Sequence, residues 1–415
     1  MLASPDRLLT FGVLRLLQSI VRFVKRFLYP KFYTGQALRT VLVLRTGRLG
    51  DFINAIPALR LLRSRLPDSR IVLITTTSSM ATMQAITRSY ADPKWLPWLD
   101  FVVPSLIDHA VPFAMTSIRT GLAHIRTIVR EERPDAVFVL PYFGETLGAK
   151  LRKLVFFKLA GFKGPIFGFD GFATRGVLRR TQYRLGLYQH EVFGSVCAIA
   201  ECPAIGSIAE SDIVLSAEVP QGATTWAHQV LEEAGFLGGP LVAIGPGATF
   251  SHKLWPTDRY VEVCHELRRR YGCRFIAIGA QTDSEMGARI KEEFDADCLD
   301  MTGRTSVIQL AALLSNCNLF VGSDSGPAHV ASAVGCPCVT VTSALDFPGC
   351  WEPWNSRGRV VRARIECEFC LSLTHCPLGT NACILAVETG QVARMCHEVL
   401  RSPQSTALCQ VERSQ

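Results

Sequence analysis

Four polar or small residues open a helical stretch directly after an apolar run at 318–322: Asp324, Ser325, Gly326 and His329. Amide groups at the start of a helix lack partners within it and attract anions. Ser325 and Gly326 can therefore bind a diphosphate, and His329 can donate from the same turn. The structural alternative is a strand-to-helix turn capped by Asp324 or Ser325, with His329 packed in the core.

A second loop of this kind follows the apolar run at 241–245 and also contains glycine. Thr249 offers a hydroxyl and Lys253 a cation to phosphate oxygens. Trp255 is interpreted instead as an aromatic anchor before the next helix. A lysine in a surface loop is commonly only solvated, but Lys253 follows a strand beside another candidate phosphate loop, which favours a binding role.

The segment RTGRLGD at 45–51 ends in Asp51 and follows the first apolar run of the chain. Its glycines permit close approach of the backbone to a ligand. Asp51 would then lie at the mouth of a cleft, where a carboxylate can accept the proton of an attacking hydroxyl. An aspartate near the start of a helix also commonly caps that helix, and the spacing alone favours this structural interpretation.

A short segment near the C-terminus holds four cysteines, Cys367, Cys370, Cys376 and Cys383. Cysteine thiolates are common ligands of structural zinc, although only the first gap has the two-residue spacing of a zinc knuckle. A structural zinc clip and free thiols that pack as small apolar groups therefore both stay open. We expect neither to form part of the active site.

These candidate sites require strands and helices that alternate along the chain. Apolar runs predict buried strands at 41–45, 71–75, 100–103, 136–140, 241–245, 274–279, 318–322 and 337–341. Helical patterns lie between them, at 59–66, 258–270, 284–294 and 307–314. Such alternation is typical of parallel sheets with right-handed crossovers, whose ligands bind beyond the carboxyl ends of the strands.

The length of 415 residues favours two α/β domains. We predict an N-terminal Rossmann-like domain at 37–215 and a C-terminal one at 216–400, facing each other across a cleft, with a tail at 401–415. The connection is expected in the irregular, Pro- and Gly-containing stretch at 204–240.

Composition excludes several classes of protein. A hydrophobic fraction of 48% and a charged fraction of 19% indicate compact folded domains. The net charge of +8 suits anionic small molecules or lipid surfaces and is too weak to indicate nucleic acid. The sequence shows neither an apolar run long enough to cross a membrane nor a convincing signal peptide, so we expect a cytoplasmic protein with reduced cysteines.

Residues 1–36 form a basic, amphipathic arm. Arg15, Arg22 and Arg26 fall on one face of a helix whose other positions are largely apolar. Such a helix can lie in the headgroup region of an anionic membrane, peripheral to it, or dock on the protein's own core. The sequence leaves both interpretations open.

Taken together, the motifs resemble glycosyltransferase family 9, the bacterial ADP-heptose:lipopolysaccharide heptosyltransferases. The resemblance spans most of residues 40–400 and is carried by VLVLRTGRLGDFINAIPALRLLR at 41–63, by KLWP at 253–256, by TGRTSVIQLAALL at 302–314 and by DSGPAHVA at 324–331. It implies a GT-B fold and an inverting mechanism that requires no metal for catalysis.

The resemblance also implies roles for individual residues. Asp51 matches the catalytic base, and Lys253, Ser325, Gly326 and His329 match groups that stabilise the departing diphosphate. Thr249 matches a hydroxyl near the phosphates, and Asp324 a residue that holds the donor sugar or orients its loop. Gln281 stands where the family often has a glutamate near the donor ribose, which puts that contact in doubt.

The predicted function is transfer of a heptose or similar sugar from an ADP-linked donor to a lipid-linked saccharide at the inner membrane. Two alternatives stay open: a GT-B transferase or epimerase that uses another nucleotide sugar, and a sugar-nucleotide-binding protein without catalysis. A nicotinamide-dependent oxidoreductase is disfavoured, because neither half has GxGxxG after its first strand with an acid ending the second.

Overall fold

The computed structural model describes residues 5–30, 33, 35–77, 105–113, 117–141, 146–170, 190–354, 357–372 and 375–401, with backbone alone at 5–14, 76, 77 and 112. The chain divides into two compact units, Met1–Val214 and Leu215–Gln415. Each unit is described by itself.

The described part of the first unit contains a five-stranded parallel sheet. Its strands are β1 (Thr40–Gly47), β2 (Arg70–Thr77), β3 (His109–Pro112), β4 (Ala136–Val139) and β5 (Ile166–Phe167), in the spatial order β3-β2-β1-β4-β5. The strands predicted at 41–45, 71–75 and 136–140 are confirmed, and the one predicted at 100–103 lies outside the described residues. Neither β3 nor β5 has a recognisable apolar run in the sequence, because both strands are short.

Helices cover this sheet. They are α1 (Pro5–Leu28), α2 (Leu49–Ile53), α3 (Ile56–Arg65), α4 (Ile118–Glu132), α5 (Leu147–Leu159) and α6 (Glu191–Ala200). The helix predicted at 59–66 is α3, which begins earlier because Pro57 fits its first turn. Covering both faces of β1 explains why its predicted run is apolar at consecutive positions: Val41, Leu42 and Val43 are completely buried.

The described residues of the second unit form a six-stranded parallel sheet. Its strands are β6 (Leu241–Gly245), β7 (Arg274–Ala277), β8 (Cys298–Asp300), β9 (Leu319–Ser323), β10 (Cys338–Val341) and β11 (Arg359–Val361), in the order β11-β10-β9-β6-β7-β8. All four strands predicted in this half are confirmed. The three-residue strands β8 and β11 are too short and too little buried to stand out in the sequence.

The helices of this unit are α7 (Gln221–Glu233), α8 (Thr257–Tyr271), α9 (Ser284–Phe294), α10 (Val307–Ser315), α11 (Gly326–Ala333), α12 (Ala382–Leu385) and α13 (Thr389–Arg401). Those predicted at 258–270, 284–294 and 307–314 are confirmed. The division between the two units, after Val214, lies in the stretch at 204–240, but that stretch is not irregular throughout, because α7 occupies its centre. Only Ala227 and Leu231 of α7 are buried, so its apolar pattern is weak.

Candidate functional site

Most candidate residues of the second unit follow β6 and β9, which are adjacent and parallel, with Gly245 paired to Gly322. After β6 the chain builds β7 and β8 on one side of the sheet, and it then returns to place β9 on the other side. The two loops therefore leave the sheet at the point where the strand order reverses. Ligands of open α/β sheets bind at such switch points.

Glycines allow these loops to lie close together. A side chain at Gly322 would come within 2.5 Å of the carbonyl oxygen of Gly245. One at Gly247 would lie within 2.6 Å of all three atoms of the Asp283 carboxylate, which itself accepts a hydrogen bond of 2.8 Å from the Ala280 amide. These glycines are therefore required by packing among the loops after β6, β7 and β9.

An ion pair joins the two loops. The Lys253 ammonium lies 2.7 Å from Oδ2 of Asp324, and the two side chains are only 19% and 12% exposed. Burial by itself raises the pKa of Asp324, but Lys253 and His329 outweigh it and hold that pKa below its usual value. Asp324 is therefore a carboxylate at neutral pH, and Lys253 has further N–H donors to offer to a second anion.

The first turn of α11 has no side-chain cap. Ser325 has an extended backbone at the N-cap position, but its side chain does not cap the helix, and its hydroxyl donates to the Ser323 carbonyl at 3.3 Å. Gly326 then begins the helix, with Pro327 in the first turn. The cap that Ser325 was expected to form in the structural alternative is absent, which leaves that end of α11 to a ligand.

His329 lies one turn into α11 and is 4% exposed. Its ring is nearly perpendicular to that of Trp351, with centroids 6.2 Å apart. A charge on its imidazole contributes, after that of Lys253, to the lowered pKa of Asp324. The structure thus brings together Lys253, Asp324, Ser325, Gly326 and His329.

Thr249 and Gln281 are exposed, whereas the residues of that cluster are buried or half-buried. Thr249 is exposed on the loop after β6. Gln281 is exposed at the start of a short 3-10 helix after β7, and its side-chain oxygen occupies the space that a Cβ would take at Gly303. Both residues keep their predicted places at the carboxyl ends of strands.

The sequence did not predict a set of buried, hydrogen-bonded hydroxyl groups next to the ion pair. The Tyr260 hydroxyl lies 3.1 Å from that of Ser323, which donates to the Pro246 carbonyl at 3.0 Å. Because all these groups are buried, they hold the loop after β6 against the end of β9. Trp255, the predicted anchor, is 1% exposed and donates to the Val387 carbonyl at 3.1 Å.

In the first unit, Asp51 caps α2 from within its first turn. Its Oδ2 accepts a hydrogen bond of 2.8 Å from the Arg48 amide, so the capping interpretation is confirmed. A carboxylate has about four acceptor positions, and this bond uses one. The side chain is 19% exposed. Gly47 makes room for it, because a Cβ there would lie 2.5 Å from Cβ of Asp51.

The buried side chain of Arg45 fixes the position of the Asp51 backbone. It is 1% exposed, its guanidinium donates to the Asp51 carbonyl at 3.0 and 2.5 Å, and it also donates to the carbonyl of Pro141 after β4. One guanidinium nitrogen lies 3.8 Å from Oδ1 of Asp51. The signal for this buried cation was available, since an arginine ending an apolar strand is unusual.

The four C-terminal cysteines have different surroundings. Backbone amides, chiefly that of Asn381, lower the pKa of the Cys376 thiol, whereas burial raises that of Cys383. Within the described residues, no three His, Cys, Asp or Glu side chains are grouped to hold a metal ion. The zinc clip of Cys367, Cys370, Cys376 and Cys383 stays a prediction, which elemental analysis of the purified protein would decide.

Comparison with known sequences gives one family. The model of glycosyltransferase family 9 (heptosyltransferase) matches residues 180–378. Lipopolysaccharide heptosyltransferase 2 of Salmonella typhimurium is 33% identical over 130 residues, which are 30% of this chain and 36% of that protein. Lipopolysaccharide heptosyltransferase 3 of Escherichia coli is 30% identical over 119 residues, or 28% and 33% of the two chains. The matched region is thus about a third of these relatives.

Solved structures match over a longer span. The glycosyl transferase family 9 structure from Veillonella parvula has a TM-score of 0.63 at 20% identity and covers 87% of this chain and 97% of its own. The ADP-heptose heptosyltransferase II of E. coli has a TM-score of 0.59 at 19% identity, with coverages of 87% and 98%.

These likenesses define the class of fold. The chain is an α/β protein with two parallel sheets that matches heptosyltransferase structures of the GT-B class. By sequence, residues 180–378 match glycosyltransferase family 9, and the curated relatives are lipopolysaccharide heptosyltransferases.

Proposed function

We propose that this protein is an inverting glycosyltransferase that moves a heptose or similar sugar from an ADP-linked donor to a lipopolysaccharide-core or other lipid-linked saccharide. The observation that carries the proposal is the Lys253–Asp324 pair beside the uncapped start of α11. A cation and helix amides at one switch point suit the diphosphate of a nucleotide sugar. A heptosyltransferase from E. coli that matches this fold was solved with ADP.

The chemistry follows from the charges. As the bond between the anomeric carbon and the diphosphate breaks, negative charge grows on the leaving oxygen. Lys253, the amides at Ser325 and Gly326, and a hydrogen bond from His329 would stabilise it. These groups supply positive charge at the position where a metal ion would otherwise act, so the proposal includes transfer that is insensitive to EDTA.

Asp51 is the proposed base. Its carboxylate would accept the proton of the acceptor hydroxyl as that oxygen attacks the anomeric carbon from the face opposite the diphosphate, which inverts the configuration. The Arg48 amide donates to the carboxylate and the Arg45 guanidinium lies 3.8 Å from its Oδ1, and both contacts favour one orientation of it. They leave it further acceptor positions for the substrate hydroxyl.

The test compares wild type with Asp51→Asn in an assay of ADP release and product mass, with ADP-heptose and truncated lipopolysaccharide core. Asparagine can still accept the hydrogen bond from Arg48, so the α2 cap is kept while the base is lost. We expect transfer to fall by roughly 100-fold or more, with ADP affinity unchanged. Asp68→Asn, an exposed aspartate of the same unit, is the matched control.

Transfer by Asp51→Asn at the wild-type rate would refute the base assignment. Failure of the wild type to bind any ADP-linked sugar would refute the donor assignment as well.

A second candidate is a GT-B transferase or epimerase that uses another nucleotide sugar. Gln281 favours it, because the resemblance places a glutamate there near the donor ribose and this chain has an exposed amide. A panel of ADP-, GDP- and UDP-linked sugars separates the two. Tightest binding of a donor other than ADP-heptose would select the second candidate.

Site and relatives also suggest where the protein acts. Curated relatives are lipopolysaccharide heptosyltransferases. We therefore place the proposed reaction at the cytoplasmic face of the inner membrane, where a cytoplasmic donor can meet a lipid-linked acceptor.

A further inference from the structure

Between residues 15 and 28, helix α1 has two apolar faces, and only one of them is covered. Val21 is 1% exposed, and Val24 and Leu28 pack against the core of the first unit. A second set of apolar side chains points to solvent: Leu16 at 62%, Ile20 at 38%, Phe23 at 72% and Phe27 at 77% exposed. Their spacing of four, three and four residues places them on one stripe of the helix, here called the outer stripe.

Ion pairs hold α1 on the first unit. The outer stripe is therefore exposed while the helix is packed, and not because the helix has separated from the protein. The Lys25 ammonium lies 2.9 Å from Oε2 of Glu201, and Arg22 lies 3.4 Å from Asp170. The carboxylate of Glu201 also accepts the amides of Gly168, just after β5, at 2.8 Å, and of Asp170 at 2.5 Å. Glu201 therefore ties α1 to the edge of the sheet.

This arrangement answers the alternative that the sequence left open. The helix does dock on the protein's own core, through Val21 and its neighbours, and it still presents a second apolar face. At about 100° per residue, the outer stripe and the covered face are centred roughly a quarter-turn apart.

The charges that α1 itself carries between residues 15 and 28 all have one sign, and one of them, Arg22, is paired with Asp170. Between residues 15 and 28 the sequence has four basic residues, Arg15, Arg22, Lys25 and Arg26, and no acidic residue. The three arginines form a row on the side of the stripe away from the core, and all three are exposed. A partner of the outer stripe must therefore have an apolar region that can contact two phenylalanines, and it must carry negative charge.

We infer that the outer stripe of α1 inserts into the headgroup region of an anionic bilayer, with the helix parallel to the membrane plane. The apolar side chains would enter the acyl boundary, and the arginine row would contact anionic headgroups. Within the described residues, no helix is long and apolar enough to cross a membrane, so α1 lies on the bilayer and does not span it.

Charge favours a bilayer over an antiparallel contact with a second copy of this chain. In such a two-fold contact through the outer stripe, the two arginine rows would lie on the same side of the interface. That arrangement is repulsive, whereas an anionic surface neutralises the row. Val155 and Leu159, 43% and 57% exposed on α5, add apolar surface on the helix against which α1 packs.

The test is binding of the full chain to vesicles of phosphatidylcholine, alone or with about a third phosphatidylglycerol, measured by co-sedimentation. We expect binding to the anionic vesicles only, weakened by added salt. Phe23→Ser with Phe27→Ser should reduce it by roughly tenfold or more, because two largely exposed aromatic rings lose their contact with lipid. Arg26→Gln should reduce it less, by several-fold.

Ile118→Ser is the matched control, because Ile118 is 71% exposed on α4 of the same unit and outside the outer stripe. ADP affinity and circular dichroism of each variant check that it is folded, and they make a failure here distinct from a failure of the proposed sugar transfer. Equal binding of wild type and the double serine variant would overturn the inference. So would a dimer in light scattering that the double variant abolishes, since that outcome assigns the outer stripe to a second copy.

Discussion

Replacing Lys253 by methionine removes the cation that joins the loops after β6 and β9. In the wild type its ammonium lies 2.7 Å from Asp324 and is 19% exposed, so a phosphate bound there would meet a largely desolvated charge. A hydrogen bond to a charged group contributes about 1.5–3 kcal/mol, which corresponds to roughly a 10- to 150-fold change in affinity. We expect Lys253→Met to weaken ADP binding by that factor.

The carboxylate left behind contributes to the loss. Without Lys253, Asp324 is a mostly buried anion beside the phosphate position, and it repels the ligand. The double variant Lys253→Met with Asp324→Asn should therefore bind ADP more tightly than Lys253→Met alone, and it should also regain part of the lost free energy of unfolding. A double-mutant cycle measures this coupling.

Titration calorimetry at about 0.15 M salt is the assay, and urea unfolding checks that each variant is folded. Lys291→Met is the control, because Lys291 lies on α9 of the same unit and its ammonium donates to the Asp295 carbonyl. If folded Lys253→Met binds ADP within twofold of wild type, the diphosphate does not bind where we place it.

Two further outcomes concern stability and pH. Gly247→Ala should lower the free energy of unfolding by about 1–3 kcal/mol, since its Cβ would collide with the Asp283 carboxylate. Gly222→Ala, with open space around it on α7, should be neutral or stabilising. Urea unfolding of both variants compares the signs of the two changes. The Glu132 side chain is 15% exposed, and the hydrogen bond from Arg70 is the main cause of its lowered pKa. A lowered folded-state pKa contributes stability above the unfolded pKa, so Glu132→Gln should destabilise at pH 7 and lose its effect as pH falls below about 4; a constant difference from pH 7 to 3 would contradict this.

The long, continuously apolar strands were predictable from the sequence because both faces of a parallel sheet are covered. β6 has all five residues buried, and its bounds were predicted without error. β8 and β11 have no such run. The position of Lys253 and Asp324 near each other was also predictable in outline, because the ends of neighbouring parallel strands meet at one edge of a sheet.

What the sequence did not supply were the contacts between distant segments. Ser323 reads as one of several small polar residues, and nothing local indicates that its hydroxyl bonds Tyr260 and Pro246. For Asp51, by contrast, the local structure was predictable. Its role as a helix cap was the simpler prediction from spacing and is confirmed, while a second role as a base depends on contacts with a substrate.

Glu201 holds α1 in a fixed orientation on the first unit. One carboxylate receives Lys25 from α1 and the amides of Gly168 and Asp170 beside β5, so the helix cannot turn about its axis without disturbing the edge of the sheet. On a bilayer, this attachment would hold the sheet at one distance from the membrane surface and at one tilt. The search for a lipid-linked acceptor would then run in two dimensions, with Asp51 carried at a constant height above the lipid.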